Sequence, residues 1–379
     1  MAKRREKGDG SIYQRESDGR YVAYARLENG KKKYVYDKTR SGVAKKLKEL
    51  QKSIEAGTVI NAKPESVEVY LLYWLDIHKS QIKETTYTTY KNHLRSVYPH
   101  IGHIKLQKLV GDHLQKMYAD FAENMSSNTV RLIHTILSAA FKQAVRWKRL
   151  VHNPCQDIDP PTLEKPKERV LTPEQAQNLL AVAKDSSLEC FLVLALTTGM
   201  RRGELLGLRW DDIDFEQKTL SVARTVSYLK TETNGIYHYI ETSPKTEAGR
   251  RIIALTRLGI NTLKVHKIKQ LEQRLAVGSA WHEHGLVIPN SLGNIYDISS
   301  LRFRFNKLLQ KAGLPHMRIH DLRHCAATLL LSMGVELKVI QQILGHSSIA
   351  ITANIYGHVL LTLQEEAMSK MDDLFSCSN

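Results

Sequence analysis

His320-Asp321-Leu322-Arg323-His324, Leu344-Gly345-His346-Ser347-Ser348 and Asn354-Ile355-Tyr356-Gly357-His358 lie within forty residues of one another near the end of the chain. The apolar spacing around them predicts helices over 320–333, 336–343 and 347–356. The first motif opens a helix, and Tyr356 follows His346 by ten residues. Two further patterns lie upstream. In Thr198-Gly199-Met200-Arg201-Arg202-Gly203-Glu204-Leu205 an apolar helix ends in glycine and an arginine starts the next one. In Ser243-Pro244-Lys245-Thr246 a lysine occupies a turn between two predicted strands. Singly these signals are weak. Tyr356 is one of 16 tyrosines, and a helix-start arginine or a turn lysine is usually just solvated. Lys230 lies in the same hairpin region as Lys245.

Outward from these motifs, Leu171-Thr172-Pro173-Glu174 carries the threonine cap and first-turn proline of a helix start. Helices are expected over 173–184, 187–199, 202–208, 257–275 and 298–312, with β-prone runs at 219–228, 237–242 and 250–255. Residues 286–289 read as a strand following an exposed His282-Glu283-His284 loop. An amphipathic helix over 361–375 has Leu363, Ala367, Met371 and Leu374 on one stripe, to dock on its own domain or on a neighbouring copy. Before this segment comes a proline-rich charged linker, Asn153-Pro154, Asp159-Pro160-Pro161 and Glu164-Lys165-Pro166-Lys167. Residues 66–149 show apolar positions three and four apart and read as four or five helices, with Thr85-Thr86 and Ser126-Ser127-Asn128 as N-caps. At the N-terminus, short alternating runs separated by Asp18-Gly19 and Asn29-Gly30 predict a three-stranded sheet, followed by a helix over 41–55. The expected fold is therefore multidomain α+β, divided at 1–58, 64–161 and 167–379: a small sheet with one helix, an all-α bundle, and a mostly α segment with a small antiparallel sheet.

The chain has 379 residues with 55 Lys+Arg against 39 Asp+Glu, a net charge of +16, which points to a polyanionic partner, nucleic acid above all. Residues 1–58 hold 16 Lys+Arg and 8 Asp+Glu, so half the excess sits in about a seventh of the chain. Arg15, Arg20, Arg26, Lys31, Lys32 and Lys33 are placed to line a DNA-facing surface, and Lys91, Arg95, Arg131 and Arg149 to decorate the helical unit. A solvated basic face is the alternative reading for both sets, and DNA contact is the favoured one for the N-terminal set. The longest apolar run, seven residues from Cys190 to Leu196, is far short of a membrane span, and no apolar leader follows Met1. Four dispersed cysteines without a CxxC argue against disulfides and thiolate zinc, so a reducing, cytoplasmic setting is expected.

Together, the motifs resemble the tyrosine recombinase (phage integrase) family over the whole of 167–379. The two preceding segments resemble that family's core-binding helical domain and the arm-site-binding sheet of phage and conjugative-transposon integrases. The resemblance implies that Arg201 and Arg323 are the two catalytic arginines and Lys245 the hairpin lysine. It likewise implies His320 as the first member of the H-x-x-R box, His346 as the histidine after Leu-Gly and Tyr356 as the nucleophile. Cys325-Ala326, where Thr-Phe is more usual, and Ala353-Asn354 depart from the pattern without removing a reacting group. It further implies double-stranded DNA with core and arm sites as substrate, a homotetramer on DNA, and an excisionase and a host DNA-bending protein as helpers.

The chemistry explains the residue types. Attack on a phosphodiester builds negative charge on its non-bridging oxygens, which fixed planar cations stabilise. A tyrosine, with an ordinary pKa of ~10, needs help to lose its proton, and an ammonium can protonate the departing 5′ oxygen. A 3′-phosphotyrosine keeps the bond energy, so religation needs neither ATP, metal nor cofactor. A metal-hydrolase reading of His320 and His324, four apart as in H-E-x-x-H, lacks the glutamate and places Arg323 beside any zinc. A DNA-binding architectural protein with an unused site would carry the same basic charge. A relaxing topoisomerase would share the tyrosine–phosphate chemistry but not the three-part arrangement.

Overall fold

A computed structural model describes residues 12–26, 30, 32–55, 65–162, 170–230, 237–243 and 249–349, with positions 368, 369, 371, 372 and 375. The chain splits into two compact units, Met1–Lys165 and Pro166–Asn379. Within the first, residues 12–55 and 65–162 have separate apolar cores.

Strands β1 (Ile12–Gln14), β2 (Tyr21–Arg26) and β3 (Lys32–Asp37) form an antiparallel sheet, and α1 (Arg40–Glu55) packs on it. The register sorts its residues by face, because directly paired residues share one. Ile12, Ala23 and Val35 meet Val43, Leu47 and Leu50 of the helix. The opposite face carries Tyr13, Tyr24, Tyr34 and Tyr36 with Arg26 paired to Lys32. Asp18-Gly19 does not form the two-residue turn that such pairs favour. A six-residue loop, Arg15–Arg20, connects β1 and β2, and only Gly19 of the pair has positive φ, at 66°. The Asp18 carboxylate instead holds Arg15 and accepts from the Arg20 backbone.

The helical unit contains α2 (Val67–His78), α3 (Glu84–Val97), α4 (Gly111–Asn124) and α5 (Ser127–Arg146). Ser66 and Ser126 cap α2 and α5 by accepting from the third residue onward. Thr85 and Thr86 are not caps. Helix α3 starts one residue before them behind Lys83, which makes no side-chain cap bond. The core is built on Tyr70, Leu71, Leu94, Ile133 and Phe141, and the Tyr70 hydroxyl donates to the Ala140 carbonyl at 2.6 Å.

In the last segment α6 (Pro173–Ala183) begins with a reciprocal Thr172–Gln175 capping box and Pro173. Helix α7 (Glu189–Thr198) contains the seven-residue apolar run and is buried all round, which is why the run shows no helical period. Helix α8 is Arg202–Leu206. The predicted strand over 219–228 is in fact two: β5 (Thr219–Val222) lies between β4 (Ile213–Asp214) and β8 (Arg251–Ala254), whereas β6 (Thr225–Lys230) pairs with β7 (Tyr237–Thr242). The break falls at Ala223-Arg224, where Arg224 ion-pairs with Asp212, and β6 then crosses α8 closely. A Cβ on Gly203 would lie 2.5 Å from the Val226 carbonyl oxygen, so only glycine fits. Residues 286–288 are buried and Pro289 half-buried, but the run forms isolated bridges, Arg209 to Leu286 and Pro289 to Ile295, rather than a strand. Helices α9 (Arg257–Val277), α10 (Ile298–Lys311), α11 (Asp321–Ser332) and α12 (Leu337–Leu344) follow. The helix expected over 347–356 lies outside the described residues beyond 349, and of the amphipathic helix expected over 361–375 only positions 368, 369, 371, 372 and 375 are described. No helix among the described residues is long and apolar enough to cross a membrane.

Candidate active site

The site is built where two helices stop. Helix α7 ends in Gly199 (φ 60°) and α12 in Gly345 (φ 67°), both left-handed, as helix C-termini commonly are. A side chain at Gly199 would strike Leu344, since its Cβ would sit 2.4 Å from Leu344 Cδ2. The two glycines therefore permit both the turns and the close approach of the two helix ends.

The carbonyls at a helix C-terminus lack intrahelical donors and carry the negative end of the helix dipole. At the end of α12 the Gln341 carbonyl accepts from the Gly345 and His346 backbone amides. The Gln342 carbonyl also accepts from the Gly345 amide, and the following three carbonyls each receive a different arginine. Arg251 Nε donates to Ile343 O at 2.5 Å, Arg323 Nη2 to Leu344 O at 2.7 Å and Arg201 Nη2 to Gly345 O at 3.4 Å. Arg323 also donates Nη1 to Gly199 O at 2.8 Å, so one guanidinium ties both helix ends together while buried to 4% exposure. Glu204, 3% exposed, accepts from Arg201 Nη1 at 2.8 Å and from Arg251 Nη2 at 2.9 Å. Burial alone would raise the Glu204 pKa, but Arg251 and Arg201 overcome it and hold the carboxylate below its ordinary value. The Arg201 side chain is still 41% exposed and open to a ligand.

His346 follows Gly345 directly and is 8% exposed. Burial, together with Arg323, Arg201, His324 and Arg251, pushes its pKa down to about 4. His320 immediately precedes α11, makes no side-chain cap bond and is exposed on one side to solvent. Its ring lies at right angles to that of His324 with centroids 5.2 Å apart, and partial burial, His324 and Arg323 lower it to about 4 as well. Both imidazoles are thus neutral at pH 7, among the guanidinium groups of Arg201, Arg251 and Arg323 and the carboxylates of Glu204 and Asp321. Asp321 does not buffer the site arginines as Glu204 does, because its carboxylate is held by Arg318.

The structure therefore gathers Arg201, Arg323 and His346 around one helix end, with His320 beside Arg323. Lys245 and Tyr356 lie outside the described residues. No sequence motif singles out Arg251, although a signal existed. Strand alternation sets Arg251 on the same inward face as buried Ile253, while Ile252 is exposed.

Of the basic residues expected at DNA, Arg26 and Lys32 share the tyrosine-rich face of the N-terminal sheet, and Lys32 lies 4.5 Å over the Tyr24 ring. Lys33 pairs with Ala25 on the other face, and Arg15 and Arg20 gather at Asp18 in the β1–β2 loop. Lys31 lies outside the described residues. On α3, Lys91 and Arg95 are one turn apart. Arg131 donates to Pro161 O at 3.2 Å. Arg149 serves the fold, forked on Glu65 at 3.0 and 3.1 Å and stacked 4.5 Å over Tyr73.

Residues 169–362 match the phage integrase family and residues 67–121 that family's N-terminal SAM-like domain. A tyrosine recombinase XerC-like protein of Caldanaerobacter subterraneus is 32% identical over 93% of this chain and 95% of its own length. The transposase of transposon Tn916 from Enterococcus faecalis is 28% identical over 94% of this chain and 92% of its own. In fold, the chain is similar to the Tn1549 transposon integrase solved with a circular intermediate DNA, with a TM-score of 0.66 at 21% identity over 81% of this chain and 99% of that one. It is also similar to a lambda integrase tetramer bound to a Holliday junction, with a TM-score of 0.55 at 20% identity over 89% and 95% of the two chains. The chain belongs to the phage integrase family of site-specific tyrosine recombinases, enzymes that integrate and excise mobile DNA.

Proposed function

We propose that the chain cuts and rejoins double-stranded DNA through a 3′-phosphotyrosine formed on Tyr356. The supporting observation is the convergence of Arg201, Arg323 and His346 on one helix end, a preorganised cationic seat that matches a phosphodiester. Arg201 and Arg323 stabilise the charge growing on the non-bridging oxygens, and neutral His346 donates its N–H to one of them. His320, neutral at pH 7, accepts the proton of Tyr356 as the phenolic oxygen attacks phosphorus. The bond from phosphorus to the 5′ oxygen breaks, and the Lys245 ammonium supplies the proton that leaves a free 5′-hydroxyl. Religation runs the same steps backward with a different 5′-hydroxyl, requiring no cofactor. An arriving phosphate also raises the pKa of both histidines toward the range where proton transfer is efficient.

The three segments divide the work in this reading. Residues 64–161 and 167–379 hold the core site, with Lys91, Arg95 and Arg131 on its phosphates. Residues 1–58 hold a distant arm site through the tyrosine face, with Arg26 and Lys32 paired on it and Arg15, Arg20, Lys31 and Lys33 around it. Exchange of two duplexes needs four nucleophiles in turn, hence a homotetramer on DNA; the lambda integrase tetramer on a Holliday junction supports that assembly. An excisionase and a host DNA-bending protein would set the direction.

A nicked suicide substrate tests the reaction. A covalent protein–DNA adduct at the cognate core site, lost in Tyr356→Phe, supports it. Absence of an adduct on any cognate site reduces the protein to a DNA-binding module, and relaxation of arbitrary supercoiled DNA makes it a topoisomerase.

A further inference from the structure

Arg251 has three protein partners. Its side chain is 7% exposed, with Nε on Ile343 O, Nη1 on Gly249 O at 3.2 Å and Nη2 on Glu204 Oε2. With Nε, Nη1 and Nη2 each taken by a protein acceptor, it is not set to grip a DNA phosphate. Its neighbours are the elements that would. Glu204 bridges it to Arg201, taking both the Arg201 backbone amide at 3.0 Å and its Nη1. Ile343 O lies at the end of α12, next to the carbonyls that receive Arg323 and Arg201 and three residues before His346. Glu204 left to itself would be a buried carboxylate beside an open arginine, free to neutralise Arg201 and turn it from the site. With Arg251 present the carboxylate is shared between two cations, and Arg201 keeps positive charge for a ligand.

We infer that Arg251 is a positioning residue for the strand-cleavage reaction: through Glu204 and the last carbonyls of α12, it sets Arg201 and the His346 turn as a clamp for the scissile phosphate. The inference rests on the recombinase reading above. A lysine at 251 would keep a cation against Glu204, but its single ammonium cannot reach Glu204, Ile343 O and Gly249 O together in the arginine's fork geometry. The clamp would loosen without the buried carboxylate losing its counter-charge.

The test compares Arg251→Lys and Arg251→Gln with the unsubstituted protein on two suicide substrates. One carries the normal scissile phosphodiester, and the other an uncharged methylphosphonate at the same position. A clamp displaced by about 1 Å should cost tenfold to a hundredfold in the single-turnover rate of Tyr356-linked adduct on the phosphodiester. The loss on the methylphosphonate should be far smaller, because that substrate brings no charge to be clamped. Equal losses on both substrates in Arg251→Lys would show a role in the fold alone and overturn the inference, as would unchanged rates on both. Arg251→Lys decides the matter even where Arg251→Gln fails to fold. If the unsubstituted protein forms no Tyr356-dependent adduct on the phosphodiester, it is the recombinase reading that fails instead.

Discussion

The N-terminal sheet and the end of α12 use the same residue type in opposite ways. In the sheet, Arg15 and Arg20 are exposed and share Asp18 in water, where an ion pair contributes little. At α12, Arg201, Arg251 and Arg323 take three consecutive carbonyls and one buried carboxylate, and two of the three are nearly enclosed. Exposed arginines can shift, and they suit a contact whose geometry is set by the DNA. Enclosed ones are fixed before substrate arrives, which is what stabilising a transient charge requires. Net charge counts both kinds alike. Their surroundings separate them.

The largest expected difference between the regions is in catalysis. Arg323→Ala should lower single-turnover adduct formation by at least ~10³-fold, since it removes the guanidinium that joins both helix ends as well as a phosphate donor. Arg15→Ala and Arg20→Ala should leave the same core-site assay unchanged. A comparable loss from either would erase the distinction. In stability, Glu204→Gln leaves Arg251 and Arg201 without their shared buried counter-charge and should cost about 3–5 kcal/mol in urea unfolding. Asp18→Asn in the loop should not move the midpoint.

The pH response should belong to the catalytic segment. His346 and His320 are held at about 4, below the ~6.5 of an unfolded chain, so between these values the folded protein binds fewer protons than the unfolded one. Their contribution to stability is fully present above pH 6.5 and is lost as pH falls toward 4. His346→Gln should flatten that decline in a series of thermal melts. On the proposed reading core-site DNA brings a phosphate against both histidines, and it should be bound with proton uptake near pH 5.5. Calorimetry in buffers of different ionisation enthalpy reads this directly, and an uptake of zero would remove the phosphate from the histidines. The smallest effect is on salt dependence. Arg26→Ala or Lys32→Ala should each reduce the slope of log K against log salt on arm-site DNA by about one, without changing core-site cleavage.

Local signals in the sequence hold at some helix starts and fail at others. Ser126, Thr172 and Pro173 mark their helix starts because a cap acts within one turn. Thr85-Thr86 misled because the same residue types also fit inside a first turn, and α3 begins uncapped. Asp18-Gly19 misled because Asp18 found Arg15 and Arg20 as partners and widened the loop. The run over 219–228 looked continuous because strand propensity does not show where partners change. Arg224, held by Asp212, divides it. Arg149 resembled its surface neighbours until Glu65, 84 residues away in sequence, took it out of the basic face. Arg251 showed only in the alternation of a four-residue strand, too short to outweigh the expectation that arginines face water.

Residue order alone carries the family, the helical order around α7 and α12, and four of the residues that lie together in the fold: Arg201, His320, Arg323 and His346. Each belongs to a contiguous motif with a fixed spacing. What holds them in place is a matter of tertiary packing. Two left-handed glycines bring the ends of α7 and α12 together, and three arginines far apart in sequence occupy successive carbonyls there. The requirement that buried helix-end carbonyls find donors is satisfied across the chain, not along it, so no local pattern could announce it.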